Sequence, residues 1–217
     1  MTYLQIVQSV LRRLRENSDI STVQANDYSQ LIGEFVNDAK HEVENAWDWS
    51  HLRTTITVDT VADTFAYVLN TSGDRLKVLN ALNDTSNWYL KYETAEEFTD
   101  KYLNLDQVQV GPPEYYSFNG MDINNDTIVE VYPKPDKEYT LRFNLIVRPS
   151  QLTQDSDILF APTQPVTMLA YAKAVEERGE DGGATATSAY ATAQRYLNDA
   201  IAFDAAKHPE ETIWYTV

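Results

Sequence analysis

In the segment 2–16, Leu4, Val7, Val10, Leu11 and Leu14 recur at three-and-four spacing, which predicts a short amphipathic helix. Thr2 stands at its N-cap with Gln5 three residues on, the reciprocal pair that satisfies two orphan amides at a helix start. After the polar stretch "NSDISTVQAND", a longer stripe of Tyr28, Leu31, Ile32, Phe35, Val36, Ala39, Val43, Ala46 and Trp47 predicts a second helix. The period then changes. "RTTITVDT" sets Thr54, Ile56 and Val58 on one parity and Thr55 and Thr57 on the other, and "TFAYVL" and "RLKVLNAL" are short, apolar or β-branched runs. Strands therefore take over near residue 53.

One helical excursion, "TAEEFTDKYLN", interrupts the strands, with Thr94 as cap and Glu97 at the capping-box position. Downstream, Asn119-Gly120 carries a hairpin signal and Asn124 to Asp126 a polar turn, and two strong strands end at Pro133 and Pro149. These features predict an antiparallel sheet. "QPVTMLAYAKAVEERG" and "ATATSAYATAQRYLNDAIAFDAAKH" then form a helical hairpin broken at Gly179, Gly182 and Gly183. Its second helix carries Tyr190, Ala193, Leu197, Ala200 and Ile201 on one face, and Pro209 stops it.

The fold class expected from this order is α+β: a four-helix bundle built from both chain ends with an antiparallel β-rich domain inserted. Residues 1–52 and 161–209 supply the bundle, 53–160 the β-rich domain and 210–217 an extended C-terminal tail. The stretch "NAWDWSHLRTTITV" lies at the crossing, with Trp47 expected in the bundle core, four residues after Val43. Trp49 falls on another side, where it packs against the first strand or a neighbouring subunit, so Trp47 and Trp49 are read as the domain joint.

Composition narrows the chemistry. Seventeen Lys and Arg against 33 Asp and Glu give a formal charge of −16, which disfavours condensation onto phosphate backbones. The 217 residues include no cysteine, so disulfides, thiolate nucleophiles and sulfur-ligated metals are excluded. No apolar run approaches membrane-spanning length, and no signal-peptide pattern is found. His41, His51 and His208 sit on a helix face, a junction and a helix end, without metal-ligand spacing. Asp122, Asn124 and Asp126 imitate a calcium loop, but Thr127 replaces its glycine and Pro133 its final glutamate. "GEDGGAT" follows a helix and lacks the lysine of a phosphate cradle. With so many carboxylates, a glycosidase-like pair carries no information. Arg12, Arg13 and Arg15 form the basic cluster, a solvated helix face or a contact for an acidic neighbour. The 14 tyrosines, Tyr89, Tyr92, Tyr115 and Tyr116 among them, and the tail "TIWYTV" suit surfaces that a partner buries, although a β core would consume many of them. No enzymatic machinery, cofactor or metal is expected.

The helix-end "VNDAKHEVENAWDWSHLRTTITV", the strand runs "FAYVL" and "DRLKVL", "GPPEYYSFNG" and "IVEVYPKPDKEYTLRFNLIVRPSQLTQDSDIL", followed by a helical pair, together resemble a known family. From about residue 20 to residue 205 the chain is similar to the head-to-tail adaptor of short-tailed bacteriophages, the tail tubular protein A type. The resemblance implies a structural virion protein at the head-tail interface, made in the host cytoplasm. It implies a homo-oligomeric ring, typically of roughly twelve copies, between the portal protein and the tail nozzle protein. Genomic DNA would pass through its channel during ejection without sequence-specific binding, and no membrane is involved. Carried to this chain, Glu210 to Val217 become the portal-docking tail, with Ile213, Trp214, Tyr215 and Val217 as its anchors, and the strand block meets the nozzle. Two alternatives remain beside it: a virion-associated tail glycan hydrolase, and a ligand-binding β module on a helical oligomerisation domain.

Overall fold

The structure is a computed structural model that describes residues 1–71, 75–103, 108–179 and 183–207. The chain is mixed α+β and divides into two compact units, one of Met1–Leu52 with Gln151–Val217 and one of Arg53–Ser150.

The first unit is helical. Helix α1 (Tyr3–Arg13) starts at Thr2, whose side chain accepts from the Gln5 amide while Gln5 Oε1 accepts from the Thr2 amide, the expected capping box. Helix α2 (Asp27–Ala46) is capped in the same way by Asn26 and Ser29. Its apolar stripe is buried through Ile32, Val36, Ala39 and Val43. Unexpectedly, a polar stripe is buried beside it: Ser29, Asn37, Lys40 and Glu44 are each 7 % exposed or less. Lys40 Nζ meets Glu44 Oε2 at 3.0 Å with both side chains inaccessible. Asn37 exchanges two hydrogen bonds with the backbone of Leu152. Gly33 lies where an added Cβ would collide with Tyr3 Oη and stand 2.9 Å from Val23 Cγ1, so α1 crosses α2 at close range over this glycine.

Residues 151–160, read from sequence with the β-rich part, pack among the helices. Tyr3 N donates to Asp157 O, Val23 N to Asp155 Oδ1, and Thr2 forms an antiparallel bridge with Ile158. The helical hairpin forms as expected, from α4 (Thr163–Arg178) and α5 (Ala184–Ala205), with Gly179 at φ 64° ending α4 and Gly183 at φ 88° before α5. Between α2 and α4 comes the short helix α3 (Ala95–Phe98), which belongs to the second unit.

A four-helix bundle is not evident. α4 packs against α1, α2 and α5, whereas α5 lies mainly on α4. The reason is the width of α5's apolar stripe: only Ala186, Ala189 and Ala193 are buried apolar positions, and Tyr190, Leu197, Ala200 and Ile201 stay half-exposed.

The second unit is a β-sandwich. Its strands are β1 (Arg53–Asp59), β2 (Ala66–Leu69), β3 (Arg75–Asn83), β4 (Trp88–Tyr89), β5 (Lys91–Tyr92), β6 (Tyr115–Met121), β7 (Thr127–Tyr132) and β8 (Thr140–Arg148). They form two sheets, ordered β1-β8-β3-β4 and β2-β7-β6-β5, antiparallel except for the β5/β6 pair. Ala81, Leu141, Phe143 and Leu145 from one sheet meet Leu69, Tyr116, Val129 and Val131 from the other in a shared core. Helix α3 begins at Thr94 with the expected Glu97 capping box and continues as a π-helical turn, Thr99–Leu103. Tyr102 stacks on Tyr132 at 4.0 Å and touches Phe98 edge-on, so part of the tyrosine content is indeed structural.

The Asn119-Gly120 pair does not make the expected hairpin. It lies inside β6, where the register shifts between Phe118 and Met121, and Gly120 at φ 91° accommodates the bulge. Asn119 Nδ2 donates across the ladder to Glu130 Oε1 at 2.5 Å. The β6–β7 turn is at Asp122–Asp126 instead, where the Asp122 carboxylate accepts from the amides of Asn124 and Asp126.

Candidate functional site

The helix-to-strand junction explains its own aromatics. α2 stops at Ala46, and Trp47 is already extended, with φ −152° and ψ 158°. Helical spacing from Val43 therefore ends before Trp47, which is 37 % exposed rather than buried as expected. Trp49 takes the interior place at 1 % exposure. Its Nε1 donates to the Val43 carbonyl at 2.8 Å, one of the four carbonyls a helix end leaves unpaired. A one-turn 3-10 helix, Ser50–Leu52, follows, and the His51 ring lies 5.7 Å from the indole.

This turn is pinned to the end of α5. Asp204, 3 % exposed, accepts from the Ser50 amide at 2.9 Å and from the Ser50 hydroxyl at 2.5 Å, and Lys207 Nζ stands 3.2 Å away. Burial pushes the Asp204 carboxyl up, but the two Ser50 bonds and Lys207 outweigh it and hold the group below the ordinary carboxylate range. His51 is exposed on one side and packed against Trp49 on the other, and this partial desolvation lowers it, against the opposing pull of Asp204.

Both groups weaken the fold in acid, for different reasons. An imidazole depressed in the native state takes protons more readily when unfolded, so its contribution falls as pH drops below its unfolded value of about 6.5. A depressed carboxyl keeps its contribution above the unfolded carboxylate range and loses it as pH falls through the native value. We expect the melting temperature to decline below about pH 6.5 and again below about pH 4. In His51→Asn the first decline should be shallower and the second unchanged; parallel profiles for the two proteins would refute the assignment.

Concave surfaces also lie outside this junction among the described residues, three of them as follows. Two flank α5: one of about 430 Å³ lined by Glu42, Pro165, Leu169, Tyr190, Gln194 and Leu197, the other of about 440 Å³ lined by Met168, Tyr171, Ser188, Ala189 and Thr192. On the same helix Phe203 is 72 % exposed. The third, about 510 Å³, opens in the sandwich between Leu76, Val78, Tyr92, Tyr116, Phe118 and Thr127. Tyr92 and Tyr89 are exposed there and on the neighbouring strand, whereas Tyr116 is buried. The half-exposed α5 stripe was legible as an apolar face, but nothing in the sequence distinguished a core face from one left open.

The sites weighed for chemistry are dispersed. Asp122 and Asn124 spend their side chains on the turn, whereas the Asp126 side chain turns away to accept from the Thr71 amide. Among the described residues no three His, Asp or Glu side chains gather as metal ligands, and no helix is long and apolar enough to cross a membrane. Arg12 and Arg13 occupy the last turn of α1, where cations complement the helix dipole, and Arg13 reaches Met168 Sδ at 3.2 Å. His208 and the tail residues Ile213, Trp214, Tyr215 and Val217 lie outside the described residues.

No curated protein matches this sequence. The family model of the SU10 adaptor protein, in contrast, matches residues 1–212, nearly the whole chain. A helical unit with open apolar helix surfaces beside an inserted sandwich suits a protein that joins other proteins. The chain belongs to the SU10 adaptor protein family, which supports a structural role as a phage head-tail adaptor associated with portal and tail proteins.

Proposed function

We propose that this chain is the protomer of an adaptor ring of the short-tailed, tail tubular type, seated between the portal and the tail nozzle. The observation that carries the reading is the family match over residues 1–212. Roughly twelve copies close the ring by heterologous contacts between two different faces of each protomer. The helical parts 1–52 and 161–209 face the portal, and the β-rich part of 53–160 faces the nozzle. Ile213, Trp214, Tyr215 and Val217 act as the docking anchors of the tail 210–217, because aromatic side chains release the most free energy when a partner buries them. Trp47 and Trp49 set the joint ahead of the crossing into β1. The surplus of carboxylates, −16 per chain, makes a surface that repels DNA phosphates and lets the genome pass during ejection without sticking. The ring is a virion component without enzymatic activity.

The test is the mass of the protein in solution, alone and mixed with recombinant portal, for the full chain and for a version ending at His208. We expect a large symmetric ring on the portal from the full chain and none from the shortened one. An oligomer of fixed mass, indifferent to portal and to the tail, would sink the reading.

The cavity of about 510 Å³ in the sandwich favours a second reading, a ligand-binding β module. In the adaptor it receives an apolar side chain of the nozzle. Tyr92→Ala should then weaken nozzle binding while leaving portal binding intact.

A further inference from the structure

The second sheet carries a row of polar side chains across three of its strands. In the antiparallel β6/β7 ladder, Ser117 stands opposite Glu130. On the other side of β6, β5 runs parallel with Tyr92 beside Tyr116, and the Glu93 amide donates to the Tyr116 carbonyl at 3.0 Å. That bond carries the register one step further and sets Glu93 beside Ser117. Adjacent strands lie about 4.8 Å apart, so Glu93, Ser117 and Glu130 form a continuous row. Tyr116 belongs to the sandwich core, and strand alternation therefore turns this row to the opposite face, where α3 and its π-helical turn lie. Phe98 and Tyr102 pack there against Tyr132, and Tyr102 Oη donates to Glu93 Oε1 at 3.2 Å.

The row is buried yet incompletely bonded. Ser117 is 0 % exposed and Glu130 7 %. Glu130 Oε1 accepts from Asn119, and Lys101 Nζ stands 3.3 Å from Glu93 Oε1. Ser117 Oγ and Glu93 Oε2, in contrast, are buried with no hydrogen-bond partner among the described residues. Two orphaned oxygens on neighbouring strands mark a place for a bound group, because buried polar atoms are costly to leave unmatched. Two carboxylates flank the hydroxyl, and the lysine that answers them is half-exposed. A water molecule would leave that surplus of negative charge in place, whereas a cation removes it. Hard oxygen donors on three separate strands suit calcium, which tolerates irregular coordination, better than magnesium, which demands an octahedron.

We propose that Glu93 Oε2, Ser117 Oγ and the Glu130 carboxylate bind one calcium ion on this face, tying β5, β6 and β7 together. Glu93, its side chain 14 % exposed, forms the entrance. With two carboxylates the site belongs to the weak class, with a Kd on the order of 0.1–1 mM. It goes beyond the adaptor reading and does not depend on it.

The test uses the full chain freed of metal by chelation. Calcium at ten times the Kd should raise the melting temperature by roughly 3–5 °C, and magnesium at the same concentration should do much less. Terbium, which occupies calcium sites on oxygen ligands, should give emission sensitised by the nearby Tyr102, and calcium should compete it away. Glu93→Gln and Ser117→Ala should each weaken calcium binding about tenfold. Glu177→Gln removes the same charge from an exposed position on α4 and should change nothing, which separates a site from screening of the net charge of −16. Ser117→Ala also decides the matter if Glu93→Gln misfolds: removing an orphan hydroxyl should not destabilise the metal-free chain, so only its calcium response should fall. No response to calcium, an equal response to magnesium, or the same response in wild type and Ser117→Ala would each overturn the proposal. A calcium site in a chain that ignores portal would refute the ring and leave the site standing.

Discussion

Trp49→Ala should lower the stability of the helical unit by about 4 kcal/mol, among the largest losses a single truncation in this protein can cause. Two terms combine. Truncating an indole at 1 % exposure leaves a cavity, and the Val43 carbonyl loses its donor. Trp49→Phe separates them, retaining most of the packing and dropping the hydrogen bond, with an expected loss of about 1–2 kcal/mol. Trp47→Ala, at an exposed position beyond the helix, should cost about 1 kcal/mol or less. Urea titrations followed by the helical circular dichroism signal read all three. Equal losses for the two tryptophans would mean that the junction does not depend on the Val43 cap.

Lys40→Met should cost about 3–5 kcal/mol although it replaces a charged residue with an apolar one of similar length. The substitution leaves the Glu44 carboxylate in the interior without the ammonium that stands 3.0 Å from it. Both side chains are inaccessible, so water cannot take over. The double variant Lys40→Met with Glu44→Leu should recover most of the loss, because an apolar pair of similar volume removes the unbalanced charge and its desolvation cost together. If the single and double variants are equally unstable, packing rather than charge balance is what the pair provides. The same titration reports both.

These two sites show why a buried charged pair and a capping tryptophan stabilise an adaptor's helical unit without taking part in any chemistry. They also bear on assembly. An adaptor that must hold its shape while partners bury its surfaces gains from rigid local fixtures in its helical unit. The Ser50 to Asp204 bonds, made across 154 positions of sequence, are another such fixture.

Sequence by itself determined the features whose causes lie within a few residues of one another. The Thr2/Gln5 and Thr94/Glu97 boxes are closed by groups three positions apart, and both form. The period of α2, the glycine break between α4 and α5 and the strands ending before Pro133 and Pro149 likewise depend on local backbone preference and spacing. Tertiary structure decided whatever depends on a distant partner. Nothing in the local pattern marks Asn37, Lys40 and Glu44 as interior, but Leu152 arrives 115 residues later to bond Asn37, and Lys40 pairs with Glu44 inside. Trp47 leaves the core place expected of it because α2 ends one residue too early for the stripe to continue, and Trp49 fills the interior instead. Asn119-Gly120 has the chemistry of a turn, yet β7 extends far enough to pair beyond it and makes it a bulge. α5 carries an apolar face that α4 covers only along its alanines. A periodic pattern records which side chains avoid water on average. Only the finished packing fixes which faces find a partner within the chain and which remain open for another molecule.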